Sequence, residues 1–151
     1  MRMEITVQAG DFDAGFELTQ LRRANAAVGA VASFIGAVSA DNEQMLVTEL
    51  ELEHYPGMTE NSIRTIIEAA GRRWDLMAVR VIHRVGRLAV GDQIVLVGVA
   101  SRHRGDAFNA CEFIMDYLKT RAPFWKKERT DSGERWLEAR ASDARAAERW
   151  E

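Results

Sequence analysis

Cysteine, proline and lysine are among the scarce residues of this 151-residue chain: one, two and three copies respectively. Each scarcity excludes something. A single cysteine, Cys111, rules out an internal disulfide framework and fits a reducing compartment. Pro56 and Pro123 stand alone, and no Pro/Gly-rich or low-complexity tract divides the chain, so one domain spanning 1–151 is expected. No apolar run approaches the roughly 20 residues that span a bilayer, and "MRMEITVQAG" lacks the apolar core of a signal peptide. A cytoplasmic protein without membrane contact is expected. Positive charge is not in excess either: the formal net charge is −3, which argues against a general nucleic-acid binder and leaves any anion site to a local concentration of cations. Histidine and cysteine form no cluster at metal-ligand spacing, so neither metal nor cofactor is expected. Gly-x-Ser-x-Gly, Walker and dinucleotide fingerprints are missing as well.

What is present is a mixed pattern of strands and helices. "EITV" (4–7) reads as a short strand, and residues 14–24 place Phe16, Leu18 and Leu21 at helical spacing. "AVGAVASFIGAV" (27–38) reads as a buried strand, with glycines where another backbone or a ligand approaches. "MLVTELELEHY" (45–55) alternates as a half-exposed strand ended by Pro56-Gly57. Apolar residues at 58, 63, 66, 67, 70 and 74 define an amphipathic helix, with Thr59 as its expected cap. "MAVRVIHRV" and "QIVLVGVAS" are strong strands, joined by "GRLAVGD" as a turn. A second helical period runs through 107–118 and stops at Pro123. "FWKKERT-DSG-ERWLEA" reads as a hairpin, and "SDARAAERW" as a short closing helix. The class is α+β, with helices on one side of a sheet.

Two places stand out chemically. "SRHRGDAF" puts His103 and Arg104 at a strand-to-helix junction, where unpaired N–H groups and the helix dipole favour anions; a solvated loop with ordinary surface charges fits the spacing equally well. The other place is "LKTRAPFWKK". Seventeen of the 20 basic residues are arginines, yet all three lysines fall between Lys119 and Lys127. Strand alternation places Phe124, Lys126 and Glu128 on one face and Trp125 and Lys127 on the other. If the chain folds back at Pro123, Lys119 and Lys126 meet on a partly apolar floor, where each depresses the other's pKa and favours a neutral amine. Arginine stays charged and has no such chemistry. Cys111 sits on an apolar helix face and reads as a core thiol. His54 and His83 read as structural, and the four tryptophans as core or interface residues.

"LEHYPGM", "IHRVG", "SRHRGDAF", "FIMDYLKTRAPFWKKE" and "RWLEA" together resemble the catalytic (large) subunit family of molybdopterin synthase, in that family's order from about residue 28 to the C-terminus. The resemblance implies an α/β hammerhead-type fold with an additional antiparallel β subdomain. It implies a sulfurtransferase that converts cyclic pyranopterin monophosphate into molybdopterin, building its dithiolene in molybdenum cofactor biosynthesis. The sulfur would come from the C-terminal thiocarboxylate of a small ubiquitin-like sulfur-carrier subunit, within a heterotetramer around a homodimer of large subunits. By motif, Lys119 and Lys126 resemble the catalytic lysines. Phe34, Ala37, Val38, Ser39, His103, Arg104, Met115, Lys127, Glu128 and Arg140 resemble the substrate-binding residues.

One position departs from the family pattern. Phe34 and Gly36 match a Phe-x-Gly-x-x-Arg motif, but Ser39 stands where the arginine belongs. Either another cation, with Arg102 as the candidate, offsets the loss, or the chain is a non-catalytic homologue that binds the sulfur carrier.

Overall fold

The computed structural model describes residues 1–42, 45–137 and 140–151. Thirteen elements follow one another: β1 (Arg2–Gln8), α1 (Ala14–Arg22), β2 (Ala30–Ala37), β3 (Asp41–Asn42), β4 (Met45–His54), α2 (Met58–Arg73), β5 (Leu76–Arg84), β6 (Gly86–Ala89), β7 (Gln93–Ser101), α3 (Arg104–Arg121), β8 (Phe124–Thr130), β9 (Gly133–Leu137) and α4 (Ala141–Glu148). They build two sheets. The first has the order β1-β5-β7-β2, with β1 parallel to β5 and the other pairs antiparallel. The second is antiparallel, in the order β3-β4-β8-β9, with β6 on the other side of β4 from β8. Among the described residues no helix is long and apolar enough to cross a membrane.

The strong strands β5 and β7 form the centre of the first sheet because both of their faces are covered. Val79, Val81, Val97 and Val99 point to α2 and α3, whose Ile63, Ile67, Ala110 and Ile114 are fully buried against them. Truncating one such isoleucine to alanine costs about 2–5 kcal/mol. The intervening small residues Ala78 and Ala100 face α1 and pack on Leu21. Helices therefore cover both faces of this sheet, not one as expected: the short period of α1 is satisfied by the small-residue side of the strands. Arg80, on that same side, is buried but satisfied, with Nε donating to Glu17 at 3.0 Å and Nη1 to the Thr6 hydroxyl at 2.9 Å.

Three other expectations need correction. Residues 27–38 are not a buried strand, because β2 lies at the edge of its sheet and exposes Phe34 and Ile35; apolar composition alone does not distinguish an edge from a centre. The glycine reading does hold, since a side chain at Gly29 would collide with the Arg102 carbonyl. "GRLAVGD" is more than a turn: β6 leaves the first sheet, pairs with β4 in the second, and returns as β7. Thr59 does not cap α2. Glu60 accepts the Gly57 N–H at 2.6 Å, whereas the buried Thr59 hydroxyl accepts the Tyr55 N–H and donates to the Pro123 carbonyl at 3.1 Å. The expected hairpin forms around Asp131-Ser132, with Gly133 at φ +114°; Glu138 and Ala139, where its second arm was expected to end, lie outside the described residues.

Candidate functional site

The joint between α3 and β8 brings the two lysines together. The Phe124 N–H donates to the Ala122 carbonyl at 2.9 Å, closing a three-residue turn centred on Pro123, and Thr59 pins the Pro123 carbonyl from α2. The chain reverses there, so Lys119 in the last turn of α3 and Lys126 on β8 line one cleft of about 990 Å³ between the two sheets. Its floor is apolar: Val38, Leu50, Ile94 and Leu137 line it and pack in one cluster with the buried Leu52 and Leu88 behind them. Five cations line the cleft, namely Lys119, Lys126, Arg135, Arg140 and Arg145, against the carboxylates of Asp41, Glu128 and Asp143. In a chain of net charge −3, this is the local concentration of cations that an anion site requires.

Lys126 is the most perturbed amine. Burial first, then the charge of Lys119 and a hydrogen bond with its side chain, bring the Lys126 pKa down to about 8. The neighbouring Glu128 is 4% exposed and accepts Arg135 Nε and Nη2 at 3.0 and 2.9 Å, so part of the positive charge is already engaged. Lys127 lies on the opposite face, as alternation requires. Its ammonium is 2.7 Å from Glu134, over the Trp136 ring, and its pKa is raised by that carboxylate. The structure thus keeps Lys127 out of the cleft.

Phe34, Ala37, Val38, Ser39, Met115, Glu128 and Arg140 all line the same cleft as the lysines. His103 and Arg104 do not. They sit at the opposite end of α3, and sixteen residues of helix at 1.5 Å each separate His103 from Lys119 by about 24 Å. Both are exposed, with His103 at the N-cap position of α3. Arg102 cannot replace the missing cation at residue 39 within this chain. It pairs with Asp75 at 3.3 Å, and the antiparallel register of β2 and β7 puts Ser39 and Arg102 at opposite ends of those strands, roughly 26 Å apart. Arg135, Arg140 and Arg145 are the arginines that line the cleft. Ser39 itself is folded into a local turn, its hydroxyl accepting the Asp41 N–H at 3.1 Å.

Sequence reasoning overlooked several lining residues, among them Arg135, Arg145 and His83. Arg145 gave no signal, since its position depends on how α4 docks. His83 did give one: it continues the two-residue period of the buried Val79 and Val81. Cys111 meets its expectation, buried with its thiol pushed up to about 12 by desolvation.

The family model described as "MoaE protein" matches residues 7–121. A molybdopterin synthase catalytic subunit from Ralstonia nicotianae is 60% identical over 146 residues, covering 97% of this chain and 83% of that one. The solved molybdopterin biosynthesis MoaE protein from Burkholderia ambifaria superposes with a TM-score of 0.84 at 53% identity, over 99% and 98% of the two chains. A complex of subunits 1 and 2 of the molybdopterin-converting factor from Helicobacter pylori shares the fold, with a TM-score of 0.71 at 18% identity over 91% of each chain. With more than half of its length matched by the family model and a relative this similar along nearly all of it, the chain belongs to the molybdopterin synthase catalytic subunit family.

Proposed function

We propose that this chain works as one unit that transfers sulfur from the C-terminal thiocarboxylate of a small ubiquitin-like carrier subunit to cyclic pyranopterin monophosphate, forming the dithiolene of molybdopterin. The observation that carries the reading is the pair Lys119 and Lys126 in one cation-rich cleft, with Lys126 brought to about 8. At pH 7 about a tenth of such an amine is neutral, against about one part in three thousand for an ordinary lysine. Once the carrier's sulfur is bonded to the pterin, freeing it from the carrier needs a nucleophile at the carbonyl carbon, which takes over the acyl group as the C–S bond breaks and leaves the sulfur on the pterin. The Lys126 lone pair serves either as that nucleophile or as the base towards an attacking water. The positive charge beside it stabilises the oxyanion that forms. Phe34, Ala37, Val38, Ser39, Met115 and Glu128 shape the walls, and Arg140 with Arg145 meets the phosphate. The family name of the Helicobacter pylori complex supports a two-subunit assembly.

His103 and Arg104 enter this reading through the homodimer. One chain holds them about 24 Å from its own lysines, so they bind substrate only where a second copy presents the start of its α3 to the cleft. Lys127, paired with Glu134 on the outer face, supports the strand rather than the substrate.

The test is complementation of cells that lack the large subunit, with a molybdoenzyme as readout. Restored activity with the wild-type chain and none with Lys119→Ala is the expected result. A chain that binds the small subunit stably yet gives no rescue would be a carrier-binding homologue disabled at Ser39.

A further inference from the structure

His83 ends the buried face of β5, 7% exposed, and its ring lies on Phe124 with centroids 3.8 Å apart and planes 19° from parallel. Nδ1 stands 2.9 Å from the Arg84 carbonyl oxygen. A carbonyl only accepts, so Nδ1 carries the hydrogen and the lone pair of the neutral ring is on Nε2. Among the described residues no buried side-chain nitrogen or oxygen is left without a partner, and His83 lines the cleft; Nε2 therefore opens into it.

The surroundings keep the ring neutral. Burial first, and then the charges of Lys126, Lys119 and His54, press its pKa down to about 3, against the pull of the Arg84 carbonyl. The charged groups around it are Lys119 from α3, Lys126 and Glu128 from β8, His54 from β4, and Arg140 and Asp143 at the start of α4. The cleft thus presents one buried, neutral acceptor beside two amines. Phe124 carries the ring and, two residues on along the same strand face, the backbone carries Lys126.

We propose that His83 is a positioning residue for sulfur transfer: its Nε2 lone pair, aimed by the Nδ1–H bond to Arg84 and the stack on Phe124, accepts a hydrogen bond from the Lys126 ammonium through one water, the two side chains making no direct bond. The inference rests on the sulfur-transfer reading for its consequence in turnover, not for the contact itself. The ring takes up no proton; the proton Lys126 sheds goes to solvent or substrate. An acceptor favours the charged form of Lys126, so His83 holds that amine in place and sets where it titrates.

His83→Asn keeps an N–H for the Arg84 carbonyl and loses the second nitrogen; His83→Phe keeps the stack and loses both. In wild type, kcat rises with pH through a limb near 8, without an inflection at the ordinary histidine pKa. In both variants kcat is expected to fall about tenfold with KM within about twofold, and the limb to move acid-ward by about half a pH unit or more. A purely structural role predicts the opposite: a loosened, wetter cleft moves the limb alkaline-ward, towards an ordinary lysine. An unmoved or alkaline-shifted limb overturns the proposal. Nitrogen-15 NMR of the wild-type chain supplies a readout that needs neither turnover nor a variant at His83. Nδ1 is expected to be protonated and Nε2 bare from about pH 5 to 9. The Nε2 resonance is expected to respond near pH 8, and to lose that response in Lys126→Met. A hydrogen on Nε2, or no response in wild type, overturns the contact. A responsive Nε2 in a chain without turnover upholds the contact while the sulfur-transfer reading falls.

Discussion

Lys126 and Lys127 are adjacent in sequence and chemically opposite. The pleat of β8 turns Lys126 inward over an apolar floor, where burial and Lys119 bring its pKa down to about 8. It turns Lys127 outward to Glu134, whose carboxylate raises it. The same residue type, one position apart, becomes an amine near neutrality on one face and a solvated cation on the other. Chemistry here belongs to the face of the sheet, because desolvation and a like charge prevail on the cleft side, whereas Glu134 outweighs both on the outer side.

Activity should separate the two faces most widely. Lys126→Ala is expected to lower sulfur transfer at least about 100-fold, and Lys127→Ala less than about threefold, measured as molybdopterin formed from thiocarboxylated small subunit. Equal losses would erase the distinction. Stability should separate them next, and in the other direction. The folded Lys126 pKa, about 8, lies below its unfolded value of 10.5, so the unfolded chain holds more protons between those values and stability rises with pH across that window. Below pH 8 the ammonium is present in both states and its full burial cost is felt. Lys126→Met is therefore expected to stabilise the fold by about 1–3 kcal/mol at pH 7, with the gain fading by about pH 10.5. Urea unfolding at the two pH values measures this; a destabilised variant at pH 7 would contradict the buried-amine picture. The smallest effect belongs to Glu134→Gln. Its pKa is held to about 2 by hydrogen bonds from Lys127 and Arg129, but all three groups face solvent, where salt screens such pairs. Thermal unfolding should change little, and less still at high salt, with turnover intact. Loss of turnover in Glu134→Gln would bring the outer face into the site.

The legible parts of the site were those set by short-range periodicity. Alternation along residues 124–128 assigned Lys126 and Lys127 to their faces, and the helical period that stops at Pro123 set Lys119 just ahead of the chain reversal. Composition misled where neighbours decide the outcome: the apolar run of 27–38 is an edge strand, and "GRLAVGD" crosses to another sheet. Motif likeness grouped His103, Arg104 and Lys127 with the cleft residues, although α3 is too long and the β8 pleat points the wrong way for one chain to unite them.

The sequence by itself determined the types and order of most elements, the clustering of lysine in an arginine-rich chain, and membership of the family. These follow from local backbone preferences and from residues a few positions apart. Only the tertiary structure decided that the Pro123 turn closes two amines into one cleft, that His83 is a buried neutral acceptor beside them, and that Arg102 is remote from Ser39. Those outcomes depend on burial and on charges distant in sequence, and both come into being only when the sheets and helices pack.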